Sequence, residues 1–378
     1  MAKVIVLGAG MVGRAIARDL ARAHDVTAAD RSTEALALLP REPRLSSLEI
    51  DLSDPGRLKS TISDFDLVVG AVPGFMGYQT LRTVLEAQKP AVDISFCPEN
   101  TLELDDLARS SGVPAIVDMG VAPGMDNLIL GYHDRGMEVE HFECLVGGLP
   151  RRRVWPFEYK APFSPVDVIE EYTRPARYVE NRHLVVRPAL SDPELIEFDG
   201  VGTLEAFNTD GLRSLLHTMR HIPNMKEKTL RYPGHIRLIE ALKAAGFFAT
   251  DTIKVGKADV SPLEFTTRVL LDAWRSAPDE REITVMRVTI SGREDNVDKK
   301  YSYVLHDEYD EATATSSMAR TTGYACAAAA ELLLAGKIRG SGVFPPERVG
   351  SDPDCFAFVM KYQAQRGIVY RAEEQVGA

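Results

Sequence analysis

Val4-Ile5-Val6-Leu7-Gly8-Ala9-Gly10-Met11-Val12-Gly13-Arg14-Ala15-Ile16-Ala17-Arg18-Asp19-Leu20 is the stretch that decides the fold. The apolar run after Lys3 carries no charge and predicts a short strand buried on both faces. It ends in Gly8-Ala9-Gly10-Met11-Val12-Gly13, the G-x-G-x-x-G spacing. Gly8 permits a tight turn and Gly10 lets a pyrophosphate reach the backbone at Met11 and Val12. Gly13 lets the next helix pack closely on the strand. That helix shows Val12, Ile16, Ala17 and Leu20 on one face, and its N-terminus offers N–H groups to a phosphate. A second strand, residues 26–29, ends in Asp30, 22 positions after Gly8. An acid there accepts hydrogen bonds from ribose hydroxyls and repels a 2′-phosphate, which favours NAD. Arg31, beside it, is the residue type that would hold a 2′-phosphate and so speaks for NADP.

The alternation continues. Helices are expected over residues 32–39, with Ser32 as N-cap, and 55–62; strands over 47–50, ending at Asp51, then 66–72, 91–95 and 115–118. Strands alternating with helices imply a Rossmann-type, doubly wound parallel sheet, with ligands at the carboxyl ends of its strands. Asp51 could then approach the adenine, and Val72-Pro73 and Ser95 the nicotinamide side. From about Val121 the pattern changes. Residues 138–145, 203–207, 265–272 and 282–291 read as strands without regular helices between them. The expected division is a dinucleotide-binding domain over 1–120, an α+β substrate and oligomerisation domain over 121–316, and a C-terminal extension over 336–378. An alanine-rich helix over about 317–335, closed by Gly336, should pack back near the first domain.

Composition narrows the class. The hydrophobic share is 45%, the charged share 26% and the net charge −11. That charge argues against nucleic acid or an anionic membrane as the main partner. Met1-Ala2-Lys3 leads straight into the first strand, so no signal peptide is expected, and no apolar run reaches membrane-spanning length. Cys97, Cys144, Cys326 and Cys355 lie far apart, as reduced thiols of a cytoplasmic protein would. No metal site is expected.

Several stretches can carry chemistry. Gly120-Val121-Ala122-Pro123-Gly124-Met125-Asp126-Asn127 should cross between the domains, with Asp126 as a helix N-cap and the backbone at Ala122 facing the nicotinamide. In Thr229-Leu230-Arg231-Tyr232-Pro233-Gly234-His235, Arg231 could fork onto a carboxylate and His235 could exchange protons near neutral pH; a plain turn is the alternative. Residues 205–213 read as a helix start capped at Thr209 or Asp210, with His217 and His221 one turn apart as surface residues. Gly147, at the end of a strand, suits close approach to a ligand. Arg151-Arg152-Arg153 reads first as a solvated loop or an oligomer contact.

Together these stretches, with Met318-Ala319-Arg320-Thr321-Thr322-Gly323, resemble the saccharopine dehydrogenase family, particularly its bacterial lysine 6-dehydrogenases. The resemblance implies a nicotinamide-dependent oxidoreductase acting on a C–N bond of a lysine-derived amine, as in lysine catabolism, and assembly as a homodimer or larger homo-oligomer. It also implies that Arg231 binds the substrate carboxylate. One departure bears on substrate: the saccharopine-forming members read Gly-Leu-Asp-Pro-Gly where this chain has Ala122. The expected reaction is therefore NAD-dependent oxidation of the ε-amine of L-lysine to allysine, which cyclises to 1-piperideine-6-carboxylate. His235 and Asp126 are the candidate proton acceptors. A saccharopine dehydrogenase or related secondary-amine oxidoreductase is the alternative within enzymes, and a non-catalytic dinucleotide sensor the alternative outside them.

Overall fold

The computed structural model of the chain describes residues 1–161, 165–277 and 280–377. Two sheets carry the fold. The first comprises β1 (Lys3–Leu7), β2 (Asp25–Asp30), β3 (Leu45–Glu49), β4 (Leu67–Gly70), β5 (Ala91–Asp93) and β6 (Pro114–Ile116), with Gly342–Phe344 as a seventh strand. All pairings are parallel, and the spatial order is β3-β2-β1-β4-β5-β6 with the seventh strand outside β6. Val4, Ile5, Val6 and Leu7 are wholly buried, as a strand covered on both faces must be. The winding reverses between β1 and β4, which opens a crevice at their carboxyl ends.

The second sheet has nine strands and is mixed. Its main path runs Glu194–Phe198, Gly202–Asn208, Asn224–Arg231, β7 (Glu138–Pro150), Glu282–Glu294, Val297–Glu308 and Tyr370–Val376. Only the pairing of Asn224–Arg231 with β7 is parallel along that path. Along Glu282–Glu294, buried Met286, Val288 and Ile290 alternate with half-buried Arg287 and Thr289, so one face packs on the core. The helix Ser317–Leu334 is sandwiched between the sheets, with Ala325 to Ala330 wholly buried. Small side chains let it approach α1 (Met11–Leu20) closely: a Cβ on Gly323 would lie 3.3 Å from both Ala15 Cβ and Ile16 Cγ1. One apolar core accordingly takes in Val4 and Val6 of the first sheet together with Met286 and Val288 of the second.

Some expectations need correction. Residues 265–272 are not a strand but part of the helix Pro262–Trp274. Ser261 caps it by accepting from the Glu264 N–H at 3.3 Å, and Thr266, Leu270 and Trp274 recur every fourth residue on its buried side. Thr209 and Asp210 cap no helix; they lie in the loop after Gly202–Asn208, and the next helix is the single turn Leu215–Thr218. His221 falls beyond that turn, bonded to Asp134 at 2.6 Å. Asp126 is not an N-cap either. Gly124 holds that position, and Asp126 sits in the first turn of the helix Met125–Asp134, accepting from the Gly124 N–H at 2.9 Å. The C-terminal stretch supplies one strand to each sheet, Gly342–Phe344 to the first and Tyr370–Val376 to the second.

Candidate functional site

A cleft of about 430 Å³ opens between the two sheets, within the range of small-molecule sites. One wall is the carboxyl end of the parallel sheet, where Gly8, Gly10, Met11, Val12, Gly13 and Asp30 come together. Gly8 has φ +109°, which only glycine adopts readily, and a Cβ on Gly13 would sit 2.0 Å from the Gly8 carbonyl oxygen. Gly10, by contrast, has open space where its Cβ would be, and α1 begins there without a side-chain cap. The helix N-terminus thus faces the cleft as an uncapped donor cradle for an anion. Asp30 is held from behind: Oδ2 accepts from the Ala9 N–H at 2.7 Å and Oδ1 from the Ser32 N–H at 2.9 Å. Each oxygen keeps a lone pair for a ribose hydroxyl. These residues fit a dinucleotide.

Val72, Pro73 and Ser95 line the middle of the cleft, and Ala122, Gly147 and Arg231 its far side. Arg31 and Asp51 are exposed outside it. Asp51 has a lowered pKa, chiefly because its carboxylate accepts from the Ser53 hydroxyl and N–H, with Arg31 a smaller influence. Arg231 is buried and heavily engaged. Its guanidinium donates to Glu171 Oε2 at 2.6 Å, Tyr172 Oη at 3.2 Å and the Leu230 carbonyl at 2.9 Å, and it lies 4.4 Å from the Tyr159 ring centroid.

The two candidate proton acceptors lie behind the cleft wall. His235 sits behind Arg231, with Nε2 2.9 Å from Tyr172 Oη and Nδ1 2.9 Å from the Phe157 carbonyl. Burial, with Arg231 nearby, pushes its pKa down to about 3, so the ring is neutral. Asp126 is 1% exposed and burial pushes its carboxyl up to about 7; its Oδ2 has no hydrogen-bond partner among the described residues. Arg151 and Arg153 of the basic run form surface ion pairs with Glu308 and Glu158, both at 2.6 Å.

The cleft also holds groups that reading the sequence passes over. Asp167, Glu170, Glu171 and Arg174 reach it from the helix Pro165–Thr173 and its end, and their spacing of three and four is the signal that places them on one face. Arg174 lies 4.9 Å from the Phe96 ring centroid, and its Nη1 has no hydrogen-bond partner among the described residues. Glu227 and Thr229 come from Asn224–Arg231, and Thr209 and Asp210 from the preceding loop. Arg213 ties that loop to the first sheet through buried Asp118, at 3.0 and 3.2 Å, and the Cys97 carbonyl. Among the described residues no helix is long and apolar enough to cross a membrane.

Residues 4–116 match the family profile described as "Saccharopine dehydrogenase NADP binding domain", and residues 120–368 that described as "Saccharopine dehydrogenase C-terminal domain". Alpha-aminoadipic semialdehyde synthase, mitochondrial, of Rattus norvegicus is 21% identical across 99% of this chain and 48% of its own. The chain thus spans about half the length of that relative. Carboxyaminopropylagmatine dehydrogenase of Synechocystis sp. is 23% identical over 93% of this chain and 94% of its own. The solved saccharopine dehydrogenase (L-Glu forming) of Saccharomyces cerevisiae superposes with a TM-score of 0.80 at 19% identity, covering 99% of this chain and 100% of that one, and so shares the fold. With the two profiles matched in order along nearly the whole chain, the chain belongs to the saccharopine dehydrogenase family.

Proposed function

We propose that the protein is a nicotinamide-dependent dehydrogenase that oxidises a C–N bond of an amine derived from an amino acid, with NAD as cofactor and L-lysine as the first substrate to try. The observation that carries this is a cleft that holds an uncapped helix N-terminus and Asp30 at one end and Arg231, Glu171 and Arg174 at the other. Gly8 to Gly13 and Asp30 would hold the dinucleotide, and Val72, Pro73 and Ser95 its nicotinamide side. The dinucleotide, when bound, would supply a hydride acceptor for the carbon next to nitrogen, and this chain's residues would position that carbon and handle protons. Water then hydrolyses the imine, and ammonia leaves if the amine was primary. Arg231 is already paired with Glu171 at 2.6 Å, so the α-carboxylate is met by Arg174, whose Nη2 reaches Glu170 only at 3.4 Å and whose Nη1 has no hydrogen-bond partner among the described residues, with Arg231 stabilising the same corner.

The test is a panel of amines with NAD and NADP, followed by the absorbance of the reduced nicotinamide. Lysine turnover without an oxo-acid partner supports the reading, and loss of turnover with the decarboxylated diamine supports the carboxylate contact. A secondary amine is the second reading, favoured by the likeness to carboxyaminopropylagmatine dehydrogenase across nearly the full length of both chains. Turnover confined to secondary amines would select it. Tight dinucleotide binding with no turnover of any amine would instead favour a sensor.

Cofactor choice has its own test. Asp30→Ser should weaken NAD binding by about 1.5–3 kcal/mol, the range for a hydrogen bond to a charged group. It also removes the carboxylate that would repel a 2′-phosphate beside Arg31, so the preference should move towards NADP. An unchanged ratio of the two affinities would show that Asp30 does not face the ribose.

A further inference from the structure

We propose that Glu227 is the proton acceptor of the cleft, taking the substrate's nitrogen-borne proton through the hydroxyls of Thr229 and Thr209. This rests on the reading of the cleft as an amine dehydrogenase site. Glu227 is 6% exposed and lines the cleft from the strand Asn224–Arg231, opposite Cys144 of β7. Thr209 Oγ1 donates to Glu227 Oε2 at 2.6 Å and lies 2.9 Å from Thr229 Oγ1. Both threonines also line the cleft, so a line of hydroxyls leads from open space to the carboxyl. The loop covers Glu227 tightly: a Cβ on Gly211 would fall 2.2 Å from Oε2.

Five other cleft carboxyls are committed elsewhere, Glu170 among them through Arg174 at 3.4 Å. Glu171 is paired with Arg231 at 2.6 Å, Asp210 with Arg177 at 2.7 Å and Asp118 with Arg213 at 3.0 Å, while Asp30 is held by two N–H groups. Glu227 has hydroxyl company and no cation at bonding distance among the described ion pairs. Asp126 from the helix behind, Glu171, Asp210 and the Cys144 thiol face it. Burial, and then the neighbouring acids, push its carboxyl up to about 8, against the Thr209 bond that pulls it down. A group poised there can give and take protons near neutral pH.

The proton step balances without an oxidant. The substrate R–CH2–NH3+ and the Glu227 carboxylate become R–CH2–NH2 and the Glu227 carboxylic acid: one N–H bond breaks and one O–H bond forms, while the threonine hydroxyls each pass on one proton and receive another. The free lone pair on nitrogen is what allows hydride to leave the adjacent carbon, so this step must come first. The same transfer serves a secondary ammonium.

The pH dependence of turnover tests this in the full chain. For the wild type, kcat should rise with pH along a limb near the Glu227 value of about 8. The substrate's own ammonium, near ~10.4 for lysine, gives a separate and higher limb in kcat/KM. Glu227→Gln keeps the shape of the side chain but cannot take the proton. It should lose the lower limb and at least about 100-fold in kcat, the lower end for general acid–base catalysis, with dinucleotide affinity unchanged. Thr209→Val removes both the relay hydroxyl and the bond that holds the carboxyl's pKa down, so kcat should fall and whatever limb remains should lie at higher pH. If Glu227→Gln does not fold by circular dichroism, the Thr209→Val limb decides. A lower limb that survives in Glu227→Gln, or that stays in place in Thr209→Val, overturns the assignment while amine oxidation stands. A wild type that oxidises no amine in the panel overturns both together.

Discussion

Gly13→Ala is expected to abolish dinucleotide binding, with a loss of affinity of at least about 100-fold, or roughly 2.7 kcal/mol. The new methyl would lie 2.0 Å from the Gly8 carbonyl oxygen and 3.6 Å from the Ala71 Cβ. Neither side can yield. Gly8 is fixed by its N–H bond to the Ala29 carbonyl at 2.7 Å, and α1 is wedged against the buried helix Ser317–Leu334. Relief requires moving α1 outward, which carries its N-terminus away from the proposed pyrophosphate site. Gly10→Ala is the informative partner, because nothing lies within 4 Å of its added Cβ. It should fold with little loss of stability yet bind weakly, since the methyl occupies space a phosphate needs. Titration calorimetry with the two variants checks both, and wild-type affinity in Gly13→Ala would sink the assignment of the turn.

Arg231→Met should destabilise the fold by about 3–5 kcal/mol, the cost of breaking a buried ion pair from one side. Its guanidinium serves Glu171, Tyr172 and the Leu230 carbonyl, and methionine satisfies none of them. Glu171 is a group whose charge burial already disfavours, with Arg231 the principal influence in its favour. The double variant Glu171→Gln/Arg231→Met should therefore recover a large part of the loss, because no unpaired charge remains. Dinucleotide affinity should be retained in both. Chemical denaturation measures the cycle, and a cost under about 1 kcal/mol for Arg231→Met would show that the pair is dispensable.

Legibility in the sequence follows the range of the interactions. The turn from Gly8 to Gly13 and the acid at Asp30 are legible because their geometry is local: a glycine spacing, a helix start and a strand end. The helix Pro262–Trp274 is also written locally, in Ser261-Pro262 and Glu264, but reading residues 265–272 without those preceding residues turns it into a strand. Glu227 is a different case. It stands between Lys226 and Lys228 and reads as part of a solvated charged run, yet the pleat of Asn224–Arg231 turns Glu227 into the cleft. Lys228 finds Glu194 at 2.5 Å instead. Nothing nearby in sequence announces the hydroxyls of Thr209 and Thr229, which meet Glu227 only once the loop folds over the strand. Arg174 with Phe96, and Arg213 with Asp118, likewise join residues far apart in the chain.

The two profiles divide the chain near residue 120, but the parallel sheet does not end there. Its outermost strand is Gly342–Phe344, and the helix against α1 is Ser317–Leu334. During synthesis, therefore, the nucleotide-binding half emerges first and waits, with β6 unpaired on one side and the inner face of α1 uncovered, until residue 344 has left the ribosome. Sequence order and assembly order thus differ, and the exposed edge of β6 is where an unfinished chain is most open to pairing with another.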